Sequence, residues 1–240
     1  MKDPIAPLRR FTPARIALGR AGSGLPTQEL LSFGLAHARA RDAVHHALDA
    51  QMLASSLTEL GLAPQIVKSA APDRATYLRR PDMGRQLGRD VFIQKSSSPV
   101  AFVIADGLSA LAVERHVVPL VRLLIQLAPQ RWAAAPAAIA LQGRVALGDA
   151  IGERLGAQLV AVLIGERPGL SSPDSLGAYL TFAPHVGRTD AERNCVSNIR
   201  PEGLGYEAAA RRIDWLVAAA LARGLTGVGL KDDSQDRSIK

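Results

Sequence analysis

The stretch VAFVIADGLSALAVERHVVPLVRLLIQLAPQRWAAAPAAIALQGRVALGDAIGERLGAQLVAVLI, residues 100–164, decides the fold. Three runs within it are short, apolar and rich in small or β-branched side chains: Val100 to Ala105, Ala137 to Leu141, and Gln158 to Ile164. Runs of that length without a polar alternate read as strands buried on both faces, the habit of parallel sheets. Between the first two, Ser109 stands where a helix needs an N-cap, and Val113, Val117, Leu120, Leu124 and Leu127 repeat at helical spacing. Between the second and third, Asp149 opens a short helix that Gly156 can end. Strands alternating with helices mean βαβ units with right-handed crossovers. The pattern therefore predicts an α/β fold: a Rossmann-like parallel sheet flanked by helices, with an N-terminal helical segment before it.

Working outward, the carboxyl ends of the three strands carry Asp106-Gly107, Gly143-Arg144-Val145 and Gly165-Glu166-Arg167. Parallel strands put those ends on one edge of the sheet, where open α/β folds place their ligands, so one composite crevice is expected there. Residues 165–200 follow as a polar, glycine-containing stretch, read as a long structured loop of the kind that carries function. It holds Glu166, Arg167, Asp174, His185, Arg188, Asp190, Arg193, Cys195 and Arg200. Tyr206 to Arg223 then reads as an amphipathic helix. On the other side, residues 1–26 form a Pro/Gly/Arg-rich arm, and Thr27 begins a helix to about residue 48. A second helical segment runs through Leu53 and Leu60, Ile66-Val67 form a short strand, and an arginine-rich patch spans residues 74–85. The expected organisation is an arm at 1–26, a helical N-terminal segment at 27–95, an α/β domain at 96–230 and a frayed tail at 231–240.

Composition narrows the function. The chain has 240 residues, 48% of them hydrophobic, which is enough for a core. No run is long and apolar enough for a membrane helix, and the N-terminal stretch lacks the apolar segment of a secretory signal. A single cysteine rules out an internal disulfide and suits a reducing compartment, so a cytoplasmic protein is expected. The net charge is +7, but the arginines are scattered and are not interleaved with the ten aromatic residues as a base-stacking surface needs. Nucleic-acid binding is accordingly the lesser reading. Cys195 with His185 and Asp190 nearby allows a nucleophile reading, although all three members then crowd into one stretch and no GxSxG elbow offers a serine alternative.

Several strings resemble the small subunit of adenosylcobalamin-dependent ethanolamine ammonia-lyase. They are ARIALGRAGSGLPT at 14–27, HARARDAV at 37–44, YLRRPDMGR at 77–85, IADGLSA at 104–110 and GRVALGDAIGERLGA at 143–157. To these are added GERPGL, DSLGAYLTFAP and DAERNCVSNIRPEGL from residue 165 onward. The resemblance implies an α/β subunit that covers part of adenosylcobalamin, with Val145, Glu166 and Cys195 as the cofactor-binding positions and no catalytic or metal-ligating residue on this chain. It implies a large (β/α)8-barrel partner subunit in a hetero-oligomer. That partner holds ethanolamine for radical conversion to acetaldehyde and ammonia. The chain lacks a DxHxxG string, consistent with a cofactor that keeps its own dimethylbenzimidazole ligand. Enclosure in a bacterial microcompartment stays open, as do the roles of Asp106, Arg144 and the 74–85 patch.

Overall fold

The computed structural model describes residues 5–12, 14–96 and 98–234. The tail expected to fray therefore lies outside the described residues from 235 onward, as do residues 1–4 of the arm. The three apolar runs form β2 (Val100–Ala105), β3 (Ala137–Leu141) and β4 (Leu159–Gly165). With β1 (Pro64–Lys68), β5 (Leu176–Phe182) and β6 (Arg193–Ile199) they make a six-stranded sheet in the order β1-β3-β2-β4-β5-β6. The first four are parallel, as the βαβ pattern requires. β5 and β6 add to β4 antiparallel, so the sheet is mixed and mostly parallel.

Those last two strands correct the sequence reading, which expected residues 165–200 to be a loop. Only Val196 and Ile199 are buried apolar side chains in β6, and its first residue is the buried Arg193. A strand that buries a cation and few apolar groups carries no periodic signal. Arg193 is tolerated because its guanidinium grips the carboxylate of Asp149 through bonds of 2.6 and 2.7 Å. Buried charge needs such pairing.

Helices cover both faces, and a one-turn helix, α5 (Pro129–Trp132), precedes β3. α2 (Ala50–Glu59), α4 (Ala110–Leu127) and α7 (Tyr206–Arg223) lie on one face against Val100, Phe102, Ile104, Ile139 and Leu163. α6 (Leu147–Leu155) lies on the other against Ala101, Val103, Ala138, Val160 and Val162. Alternate residues of each strand feed the two cores, the period-2 consequence of the pleat. Ser109 Oγ accepts from Ala112 N at 3.3 Å and caps α4 as expected. Gly156, at φ +76°, ends α6 in the left-handed region. Asp149 sits in the first turn of α6, which begins at Leu147 rather than at Asp149 itself.

The N-terminal helix α1 (Thr27–His45) ends three residues short of its expected boundary and buries only Ala43. α3 (Arg74–Arg79) follows β1 and carries Tyr77, which is fully buried. Among the described residues, no helix is long and apolar enough to cross a membrane.

Candidate functional site

The ends of β2, β3 and β4 are drawn together by hydrogen bonds between their loops. Asp106, 3% exposed, accepts from Gln142 N and Gly143 N, both at 2.9 Å, tying the β2 end to the β3 turn. Leu108 N donates to Gly165 O at 2.9 Å, tying it to β4. The approach is close enough to demand glycine: a Cβ on Gly107 would lie 2.1 Å from Gly165 O, and one on Gly165 would lie 2.0 Å from Ser109 O. Burial pushes the Asp106 carboxyl up, against the pull of those two amides and of Arg74. Arg74 reaches Asp106 at 3.5 Å and donates to Gly107 O at 2.8 Å. Thus α3 braces the same edge.

Tyr77 supplies the second brace. Two guanidiniums lie over its ring, that of Arg74 at 4.9 Å and that of Arg144 at 4.4 Å from the centroid, and its hydroxyl donates to Gly143 O at 3.0 Å. Such stacking fixes a cation's direction without neutralising it. The Gly143-Arg144-Val145 turn is consequently held from both sides, by Asp106 on its amides and by Tyr77 on a carbonyl.

A cavity of about 350 Å³ opens over this edge, with Val145, Glu166, Arg167, Tyr77, Arg144 and Tyr179 among its lining residues. Val145 and Glu166 are therefore brought together, as the shared strand edge predicted. Cys195 lies one strand further on, directly opposite Tyr179 across the β5–β6 pair, with Glu166 also close enough to act on its thiol. All three residues singled out from the sequence thus lie on one side of the molecule.

Glu166 is half-buried and pinned along one oxygen. Its Oε2 accepts from Ser175 Oγ and, at 3.2 Å, from Asn198 N. Oε1 accepts no hydrogen bond among the described residues, and a Cβ on the neighbouring Gly177 would lie only 2.8 Å from it. Oε1 is thus an acceptor without a partner on a residue that lines the cavity. Burial pushes the Tyr179 phenol up, and Cys195 and Glu166 push it the same way, so it stays a neutral donor.

The nucleophile reading of Cys195 finds no support in this geometry. Cys195 is exposed, yet partial desolvation beside its neighbours pushes the thiol up and Glu166 adds to that, whereas an activated cysteine needs a depressed value. His185 instead bonds Ala183 O through Nδ1 at 3.0 Å, and Asp190 lies 3.5 Å from Arg193 Nε.

Sequence reasoning missed Tyr77 and Tyr179. The available signals were Arg74 and Tyr77 at i, i+3 on one helix face, and the alternation in LGAYLTF that marks β5.

Comparison with known proteins identifies the family. Residues 2–231 match the family described as ethanolamine ammonia-lyase light chain. The chain is 55% identical to the ethanolamine ammonia-lyase small subunit of Bradyrhizobium diazoefficiens, over 99% of this chain and 96% of that one. It is 53% identical to that of Azotobacter vinelandii over 98% and 90%, and 52% identical to that of Xanthomonas campestris pv. campestris over 99% and 90%. The chain belongs to the ethanolamine ammonia-lyase light-chain family.

Proposed function

We propose that this chain is the small subunit of an ethanolamine ammonia-lyase and forms one wall of the pocket that holds adenosylcobalamin, the other wall being a large barrel subunit. The observation that carries the reading is the meeting of Val145 and Glu166 in one cavity whose wall continues through Tyr179 to Cys195. In this organisation the α/β part, residues 96–230, meets the cofactor, and the 27–95 segment contributes Tyr77 as a brace.

The residues fit the group. A corrin is fringed by amide side chains that donate N–H bonds, and the open Oε1 of Glu166 is an ionisable acceptor with no competing donor. Val145 offers an apolar contact beside it. Cys195 and Tyr179 would offer a small neutral surface to its edge. A cavity of about 350 Å³ takes only an edge of so large a molecule, which is why the reading requires a second polypeptide.

When bound, adenosylcobalamin supplies a cobalt–carbon bond that breaks homolytically to begin the conversion of ethanolamine to acetaldehyde and ammonia. What this chain supplies is orientation and the exclusion of water from that pocket, because radical chemistry is lost to stray hydrogen donors. Ethanolamine and the reacting centre lie with the large subunit, so no residue here is catalytic. The expected location is the cytoplasm.

The test is adenosylcobalamin titration of the purified two-subunit complex. Glu166→Ala removes a charged acceptor worth about 1.5–3 kcal/mol, so the apparent Kd should rise about 10- to 100-fold. Cys195→Ser should keep much of the turnover. Unchanged affinity in Glu166→Ala, with the complex intact, overturns the reading.

A further inference from the structure

Around this edge four guanidiniums have a carboxylate. Arg74 has Asp106, Arg115 has Asp174 at 2.7 Å, Arg188 has Glu192 and Arg193 has Asp149. Three do not: Arg85, Arg144 and Arg167 make no ion pair among the described residues. Arg144 is the best constrained of them. Its guanidinium is stacked on Tyr77, and its Nε is buried without a hydrogen-bond partner. A buried donor left open is costly unless something else fills it.

Arg85 and Arg144 line a second cavity of about 410 Å³, which shares Arg144 and Val145 with the first. Thr189 also lines it, but its hydroxyl donates to Glu192 at 2.9 Å. Arg188 and Arg193 also reach it, but their charge is taken by Glu192 and Asp149. The one acidic residue on the wall, Asp190, is 98% exposed at its side chain and lies beside Arg193 rather than Arg85 or Arg144. The field in this cavity is therefore positive, and its two free guanidiniums are planar forks of the geometry that matches a phosphate.

We infer that this second cavity is a phosphodiester subsite, continuous with the proposed corrin pocket past Val145, in which Arg85 and Arg144 hold the phosphate of the cofactor's nucleotide tail. The inference rests on the cobalamin reading above and adds to it a direction: the tail runs from Val145 toward Arg85 and away from Glu166. Free phosphate shares the chemistry, and the test separates the two sources.

The experiment titrates the two-subunit complex with adenosylcobalamin and with adenosylcobinamide, which keeps the ring amides but lacks the nucleotide tail. Arg85→Met and Arg144→Met should each weaken adenosylcobalamin binding about tenfold, the effect of losing one charged hydrogen bond, and Arg85→Met, at a residue that does not line the corrin cavity, should leave cobinamide binding unchanged. Arg144→Lys should recover part of the loss, and the salt dependence of cobalamin affinity should flatten in both Met variants. Arg85 is exposed and its side chain makes no hydrogen bond, so that variant reports on the ligand even if Arg144→Met disturbs Tyr77.

Equal weakening of both corrinoids by Arg85→Met, or no weakening of either, overturns the inference. So does a wild-type complex that binds the two corrinoids equally while the phosphorus resonance of added inorganic phosphate broadens with it and not with Arg144→Met, for the site then takes free phosphate. Failure of the parent reading looks different. There, wild-type complex binds neither corrinoid, or Glu166→Ala leaves cobinamide affinity untouched.

Discussion

α1 and α7 are almost equal in length, at 19 and 18 residues, and opposite in what they bury. α7 places Ala209, Ala210, Ile213, Leu216, Val217 and Ala220 in the core, spaced three and four apart so that they form one stripe. α1 is no less apolar over its first turns, yet Leu30, Leu31, Phe33 and Leu35 are 41–68% exposed. Leu30 and Phe33 are three apart and Leu31 and Leu35 four apart, but the two pairs together spread over more than half of the helix circumference, so they do not form one narrow stripe to lay on the sheet. Apolar content decides whether a helix can be buried; its angular arrangement decides whether it is.

What holds α1 is correspondingly local. Ala43 is buried, Arg74 donates to Val44 O at 2.8 Å, and at the other end Arg9 lies 3.5 Å from Glu29. The body, by contrast, is held by two continuous cores. The largest expected effect that tests this difference is Phe102→Ala in β2. Phe102 is fully buried and stacks on Trp132 with ring centroids 4.8 Å apart. Truncation should cost about 3–5 kcal/mol, measured by denaturant unfolding of the chain. A loss under about 1 kcal/mol would mean that the body is no better packed than the arm.

How far the sequence reveals this molecule follows the same division. β2, β3 and β4 were legible because both faces are buried and every position is apolar, and α7 because its stripe is unbroken. β5 and β6 were not. A strand that begins on buried Arg193 and contains Asn194, Ser197 and Asn198 reads as a loop; its backbone pairs with β5, and the carboxylate that lets Arg193 be buried there comes from Asp149, 44 residues earlier. At the site, Val145 and Glu166 were legible as residues at strand ends. Tyr77 was not, because its contact with Gly143 spans 66 residues and depends on where α3 lands after β1. The freedom of Arg85 and Arg144 was hidden for the same reason: a sequence displays charges but not which of them are already paired.

A smaller effect is expected inside the body, at its exposed rim. Glu192 closes a capping box, accepting from Thr189 N at 2.7 Å and from Arg188. The Thr189 amide foremost, then Arg188, holds its carboxyl down at about 2, against an ordinary 4.5. A carboxyl depressed on folding stabilises above its unfolded value and loses that contribution as pH falls through the folded one. Glu192→Gln should therefore lower Tm modestly at pH 6, and the gap from the unsubstituted chain should shrink as pH falls from 4.5 toward 2. A gap that stays constant across that window means that the carboxylate is not what fastens the turn between β5 and β6.

The smallest effect, and the sharpest test of the comparison, belongs to Leu31→Glu. Leu31 is 68% exposed, and leucine and glutamate are nearly equal helix formers. In a helix packed like α7, a charge at a core position would unfold the chain. On α1 the carboxylate enters water, close enough to the first turn to meet the favourable end of the helix dipole. The Tm of the isolated chain should stay within the range of an ordinary surface change, about 0.5 kcal/mol in stability. A drop of several degrees would show that α1 rests on the body more heavily than Ala43 allows, and the two helices would then differ in degree rather than in kind.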